Sequence, residues 1–306
     1  MLYLVKDPDY RSFRYRSLME YGFKPVGITL REFPDGEIYV RFLDDIDSRG
    51  VYLVVVRGFP EQDRNILKAI LITSTLRELG ARKILLFMPY LPYSRQDKRF
   101  LEGEAVSAKI VAKLLVDSGA DRLITIDIHN PNAYSFLGNK FMNLSTTNLW
   151  SRFINRRFAD SRVGVISPDI GRKHHVSKIA ANCNANVISF MKIRDLHSGR
   201  ILRQEPEDPN AYREFLGESS VIFIIDDILA TGGTVSNIAR RLRSDGFRGP
   251  IYALFTHGLF IGNAYDRLIN AGVNDVFCTD TVENPFIHPD TCIESLVIDV
   301  LAQKSI

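Results

Sequence analysis

The chain has 306 residues, 45% of them hydrophobic and 25% charged, which predicts a globular protein with ample core and two domains of ordinary size. A formal net charge of +3 is too small to argue for general nucleic-acid binding, and no apolar run approaches the ~20 residues of a membrane span. Cys183, Cys278 and Cys292 lie far apart without a CxxC, and the N-terminus MLYLVKDPDYR lacks the apolar core and cleavage site of a signal peptide, so a reducing cytoplasm is expected.

Arg31–Phe42 reads REFPDGEIYVRF. Pro34-Asp35-Gly36 is a turn signal and Ile38, Val40 and Phe42 alternate like a strand, so a hairpin or sheet edge is expected. Val51–Val56 is an apolar run for a buried strand. Ile66, Leu67, Ile70, Leu71 and Leu76 then trace the face of a helix. Lys83–Met88 gives a strand, Ser107–Leu115 a helix and Leu123–Ile128 another strand. The βαβαβ order predicts a parallel sheet with helices on both faces, and ligands of such sheets gather at the carboxyl ends of the strands.

Two of those ends carry chemistry. After Lys83–Met88 the chain delivers Arg95-Gln96-Asp97-Lys98-Arg99, which can neutralise several phosphate oxygens; a solvated charged loop is the plainer alternative. The Leu123–Ile128 strand ends in Asp127-Ile128-His129, with Asp127 and His129 expected on one side of the strand. A carboxylate and an imidazole there can serve a metal–phosphate complex, although a lone His is more often a plain hydrogen-bonded residue.

The second half repeats the plan. Arg162–Ile166 is a strand ending in Ser167-Pro168-Asp169-Ile170-Gly171, and a helix follows through Ala180. Val187–Phe190 is the next strand, with Met191-Lys192-Ile193-Arg194 directly after it, and Leu196–Leu216 is expected as a polar loop or hairpin. Val221–Ile225 is a buried strand followed at once by Asp226 and Asp227, the turn Ala230-Thr231-Gly232-Gly233-Thr234, and a helix to about Ser244. The strand Ile251–Thr256, a helix near Ala264–Ala271 and the strand Val276–Thr279 complete the unit. The two units meet near Asn143–Trp150.

A strand, an acid pair, a glycine turn and a helix N-terminus in that order describe a cradle for a phosphorylated sugar. The first helical N–H groups point outward with the positive end of the helix dipole behind them. Glycines let the backbone approach an anion, Thr231 and Thr234 add hydroxyl donors, and the carboxylates suit sugar hydroxyls or a Mg²⁺ ion.

This stretch resembles the phosphoribosyl-diphosphate (PRPP) loop of the type I phosphoribosyltransferase fold. FPDGEIYVRF, PYSRQDKRF, a DxH strand end, SPDIG, a KxR after the following strand and DDxxxTGGT occur in the order of the ribose-phosphate pyrophosphokinases, over about Arg31 to Phe255. The resemblance implies an α/β chain of two tandem type I phosphoribosyltransferase-like domains: 1–143 on the ATP side and 144–292 on the ribose 5-phosphate side. The helix 293–306 is a candidate to pack back on the first. It implies transfer of the β,γ-diphosphoryl group of MgATP to the C1 hydroxyl of ribose 5-phosphate, giving PRPP and AMP. Arg95, Gln96 and Asp97 would bind ATP with Lys98 and Arg99 nearby, and Phe33, Asp35 and Glu37 would contact adenine across a subunit interface. His129 and Asp169 would hold Mg²⁺. Asp226 and Asp227 would take the ribose hydroxyls, either directly or through a second Mg²⁺. Thr231, Gly232, Gly233 and Thr234 would hold the 5-phosphate, and Lys192 and Arg194 would be the cationic pair over the transferred group. A homo-oligomer built from dimers is implied. The alternatives are a phosphoribosyltransferase consuming PRPP, and a non-catalytic subunit of a PRPP synthetase complex.

Four features depart from that pattern. Ala230 removes a side chain that could touch the 5-phosphate, so a tuned affinity is expected. Arg172 follows SPDIG where the family often has a small residue, and its cation either sits near the diphosphate or points to solvent. Asn130-Pro131-Asn132 is an unusual continuation after His129. SLVIDVLAQKSI lacks the Ser-rich tail that many family members use in a phosphate/ADP regulatory site, so the resemblance does not carry regulation by ADP over to this chain.

Overall fold

The computed structural model describes residues 1–99, 101–194 and 201–302, with the side chains of 192–194, 201–203 and 300–302 outside that description. The first half runs β1 (Leu2–Lys6), α1 (Arg16–Glu20), β2 (Phe23–Pro25), β3 (Ile28–Glu32), β4 (Ile38–Phe42), β5 (Val51–Val55), α2 (Gln62–Glu78), β6 (Lys83–Phe87), α3 (Ser107–Asp117), β7 (Arg122–Ile126) and β8 (Phe141–Leu144). The second runs α4 (Thr147–Phe158), β9 (Val163–Ser167), α5 (Lys173–Asn182), β10 (Asn186–Arg194), β11 (Ile201–Pro206), α6 (Pro209–Glu218), β12 (Val221–Leu229), α7 (Gly233–Ser244), β13 (Ile251–Gly258), α8 (Ala264–Asn270), β14 (Asp275–Cys278) and α9 (Glu294–Ala302). Two compact units result. One holds Met1–Ser145, Asp280–Glu283 and the chain from Ile293; the other holds Thr146–Thr279 and Asn284–Cys292.

In the first unit the strands order β2-β1-β5-β6-β7-β8, all parallel, and β3 and β4 form a separate antiparallel hairpin. β5 shows why its run is apolar throughout. Tyr52 and Val54 enter one core with Ile66, Ala69 and Ile72 of α2 and Ala112 and Leu115 of α3. Leu53 and Val55 enter the opposite core with Tyr10, Phe13, Leu18, Ile293, Leu296 and Val297. A strand covered on both faces has no polar side to show, and each such side chain contributes about 1.5–3 kcal/mol by leaving water. The C-terminal segment is also tied in by hydrogen bonds. Leu18 N–H donates to Glu294 Oε1 at 3.1 Å, and Tyr10 Oη donates to the Asp280 carbonyl at 2.8 Å.

In the second unit the order is β11-β10-β9-β12-β13-β14, parallel except for the β10–β11 pair. Ile222 and Ile224 pack with Val235, Ile238 and Leu242 of α7, while Phe223 and Ile225 pack with Trp150 and Phe153 of α4 and Val176 of α5. β9 and β12 are neighbours, yet the chain leaves β9 towards β10 on one side and leaves β12 towards β13 on the other. That reversal opens a crevice at their carboxyl ends.

The parallel sheets with helices on both faces are those expected, and several local expectations change. β7 stops at Ile126 because Asp127 turns into the left-handed region at φ 41°, so Asp127 and His129 do not share a strand face: Asp127 is buried and His129 exposed. β12 does not end before the acid pair. It continues to Leu229, because Asp226, Ile228 and Leu229 keep pairing with Phe255, His257 and Gly258 of β13. Lys192 and Arg194 lie within β10 rather than after it, opposite Gln204 and Ile201 of β11. The stretch from Leu196 therefore includes a hairpin strand and also α6, which starts where Asp208 Oδ1 caps the N–H groups of Asn210 and Ala211 and Pro209 opens the first turn. Residues 195–200 lie outside the described part.

Candidate active site

The crevice of the second unit collects two loops. β9 leads into Pro168 and Asp169, and Asp169 Oδ1 accepts the Arg172 N–H at 3.1 Å, capping a short turn over Ile170–Arg172. β12 brings Asp226 and Asp227. Asp226 Oδ1 accepts the Asp227 N–H and Asp227 Oδ1 accepts the Ile228 N–H, each at 2.9 Å. Asp227 is buried, and its Oδ2 lies 3.9 Å from the Arg172 guanidinium, with both side chains 7% exposed. The Asp226 carboxyl lies deep although the residue keeps partial exposure. Its burial first, then the charge of and hydrogen bond with Asp227, and then Asp169 push its pKa well above the usual carboxylate range, against the pull of Arg172. So Asp169, Arg172, Asp226 and Asp227 form one electrostatic cluster, and Arg172 points into it rather than to solvent.

Past the acids, Gly232 stands at φ 73° just before α7, a left-handed backbone that glycine adopts without strain. Its environment is close: a Cβ there would lie 3.3 Å from the Ala264 carbonyl oxygen and 3.4 Å from Leu268 Cγ. α7 has no acidic residue in its first turn, so the positive end of its dipole is not offset from within the helix. Thr231 is exposed, and Gly233 and Thr234 are half-buried at this end. The arrangement offers backbone and hydroxyl donors beside a carboxylate pair, which suits a phosphate ester carrying vicinal hydroxyls.

In the first unit the strand ends carry other groups. Arg95, Lys98 and Arg99 are exposed and Gln96 and Asp97 half-buried in the loop after β6. Asp97 Oδ2 accepts from Asn130 Nδ2 at 2.6 Å, which ties this loop to the His129 end of β7. Glu104 organises the rest: its Oε2 accepts from Gln96 Nε2 at 3.3 Å and the Leu101 N–H at 2.9 Å, and its carbonyl accepts from Arg99 Nε at 2.9 Å. Tyr90, Tyr93, Arg95 and Gln96 line a pocket of about 380 Å³, and the same tyrosines line another of about 540 Å³ with Asp63 and Arg64. Arg64 donates to the Gly36 carbonyl at 3.2 Å and pairs with Glu32 at 2.5 Å, so it joins this region to the hairpin tip. On that tip Phe33 is 38% exposed and Asp35 Oδ1 accepts the Glu37 N–H at 3.1 Å. Asn130, Glu104 and Arg64 were not singled out as site residues from the sequence. Asn130 alone carried a signal there, as a departure from the family pattern.

The switch between β1 and β5 in this unit is occupied by side chains of the unit itself. Lys68, 5% exposed, lies 2.5 Å from Asp9 Oδ2 and 3.8 Å from Oδ1 of the fully buried Asp7. Arg57 pairs with Glu61 at 2.7 Å.

Residues 14–119 match the family model described as the N-terminal domain of ribose phosphate pyrophosphokinase. A ribose-phosphate pyrophosphokinase from Methanopyrus kandleri is 37% identical over 254 residues, 83% of each chain. One from Sulfurisphaera tokodaii is 33% identical over 251 residues, 82% of each chain. The crystal structure of phosphoribosylpyrophosphate synthetase from Mycobacterium smegmatis is similar in fold, with a TM-score of 0.82 over 99% of both chains at 24% identity.

Proposed function

The chain belongs to the ribose-phosphate pyrophosphokinase family, and from that premise we propose that it transfers the β,γ-diphosphoryl group of ATP to the C1 hydroxyl of ribose 5-phosphate. A bond forms between the C1 oxygen and the β-phosphorus, the bond from that phosphorus to the α-phosphate bridging oxygen breaks, AMP leaves and the hydroxyl proton passes to solvent. The observation that carries the reading is the crevice between β9 and β12. There an acid pair, a glycine turn and an unscreened helix N-terminus stand at adjacent strand ends.

In this reading Thr231, Gly232, Gly233 and Thr234 bind the 5-phosphate, and Asp226 and Asp227 orient the ribose by accepting from its hydroxyls. Arg95, Gln96, Asp97, Lys98 and Arg99 bind the triphosphate, and Phe33, Asp35 and Glu37 the adenine, supplied to a neighbouring subunit of a dimer-based homo-oligomer. Lys192 and Arg194 cover the transferred group, neutralise its oxygens and keep water out. His129 and Asp169 would hold the Mg²⁺ that accompanies the nucleotide, whose charge would offset that of the β- and γ-phosphates. Among the described residues no group of three or more His, Cys, Asp or Glu could form a metal cage. The cysteine pattern supports a cytoplasmic location, and no helix among the described residues is long and apolar enough to cross a membrane. The test is AMP formation from ATP, expected only with both ribose 5-phosphate and Mg²⁺ present. ATP consumption that ignores the sugar would overturn the reading.

A further inference from the structure

Arg172 is a buried cation of the second unit to which the proposed reaction gives no role. It is 6% exposed, and its guanidinium reaches within 3.9 Å of Asp227 Oδ2. Its backbone is pinned by the cap from Asp169. A cation buried beside a carboxylate is held there, because withdrawing either partner leaves the other uncompensated.

The oxygens of the acid pair show what else could bind there. Asp226 Oδ1 and Asp227 Oδ1 accept backbone N–H groups, and Asp227 Oδ2 faces Arg172. The two carboxyl groups also hydrogen-bond to each other. A divalent cation at the pair would stand against the Arg172 guanidinium, and like charges at that range repel in a buried site. Arg172 already supplies positive charge at the same place, through a guanidinium nitrogen 3.9 Å from Asp227 Oδ2.

We propose that Arg172 takes the place of a divalent cation at the ribose acid pair, so that ribose 5-phosphate binds this protein without metal and Mg²⁺ is needed for the nucleotide alone. The proposal rests on the reading of the crevice as the ribose 5-phosphate site. Arg172 is a positioning residue: it sets the charge and direction of Asp227, and Asp227 meets the sugar.

Calorimetric titration of the full chain with ribose 5-phosphate, without ATP, in EDTA and in Mg²⁺, tests it. The unaltered protein is expected to bind within about twofold in the two buffers. R172M should weaken binding in EDTA by at least about tenfold, with Mg²⁺ recovering most of the loss, since an uncompensated acid pair recruits a cation. R172K should keep metal-independent binding. Binding by the unaltered protein in Mg²⁺ only, with sugar-dependent AMP formation intact, would overturn the proposal and leave the reaction standing. Equal affinity of R172M and the unaltered protein in EDTA would also overturn it. Absence of binding in both buffers, together with sugar-independent ATP turnover, would remove the proposal and the functional reading together. If R172M does not fold, the two-buffer comparison and R172K still decide.

Discussion

Replacing Asp226 by asparagine should stabilise the second unit while impairing it. Burial and the neighbouring Asp227 hold the Asp226 carboxyl well above its ordinary range. Below pH ~4 both folded and unfolded chains keep the proton, so the residue has no effect on stability. As pH rises past that point the unfolded carboxyl ionises and the folded one does not. Folding then takes up a proton, and stability falls by about 1.4 kcal/mol per pH unit until the folded pKa is reached. The amide in D226N has nothing to titrate. The D226N advantage should therefore be near zero at pH ~4 and grow as pH rises above it, until the folded carboxyl itself ionises. The single tryptophan, Trp150, is fully buried in the second unit and reports its unfolding. Urea titrations followed by its fluorescence from pH 4 to 8 give the comparison. D226N should at the same time bind ribose 5-phosphate more weakly, because its amide offers the sugar hydroxyls one oxygen where the carboxyl group offers two. A pH-independent difference between the two proteins, or a D226N that loses stability as pH rises, would refute the argument.

Lys192→Ala is expected to lower kcat about 10³-fold while KM for ribose 5-phosphate changes only a few-fold, read by coupled AMP release, since a transition-state cation is worth roughly what an arginine finger is. Asn130→Ala frees the Asp97 loop and should raise KM for ATP about fivefold without moving that for the sugar, the size of one lost hydrogen bond to a charged group near the surface. Lys68→Ala leaves the fully buried Asp7 short of its nearest cation and should cost about 3–5 kcal/mol in denaturant titrations followed by circular dichroism. The K68M/D7N double variant should regain most of that loss.

The central strands were legible because burial on both faces removes polar residues from them: Val51–Val55 and Val221–Ile225 admit few other readings. Their ends were not. Asp226–Leu229 look like a loop in sequence because two acids interrupt the apolar run, yet pairing with β13 continues through them. Conversely, Asp127 and Ile128 extend an apparent strand that a left-handed residue has already ended. β1 was missed altogether, since five residues at a chain end carry little pattern, although it lies between β2 and β5. α6 was hidden in a polar stretch whose Asp208-Pro209 cap was its one clear signal. Within the site, residue types and spacing picked out Asp226, Asp227 and the glycine turn, and the family resemblance added Asp169. The direction of Arg172 was undecidable, because it depends on a carboxylate 55 positions away in sequence.

The Lys68–Asp7–Asp9 cluster gives the duplicated architecture an asymmetry. Both halves inherit a notch where the chain reverses its winding, but the earlier one is corked with its own charges and has nothing left to offer a guest. Arg95 and Arg99, exposed arginines of that half, lie instead in the loop after β6. One notch is open and the other is filled by its own charges, and small neutral residues in place of Lys68 and Asp7 would be the place to begin engineering a pocket there.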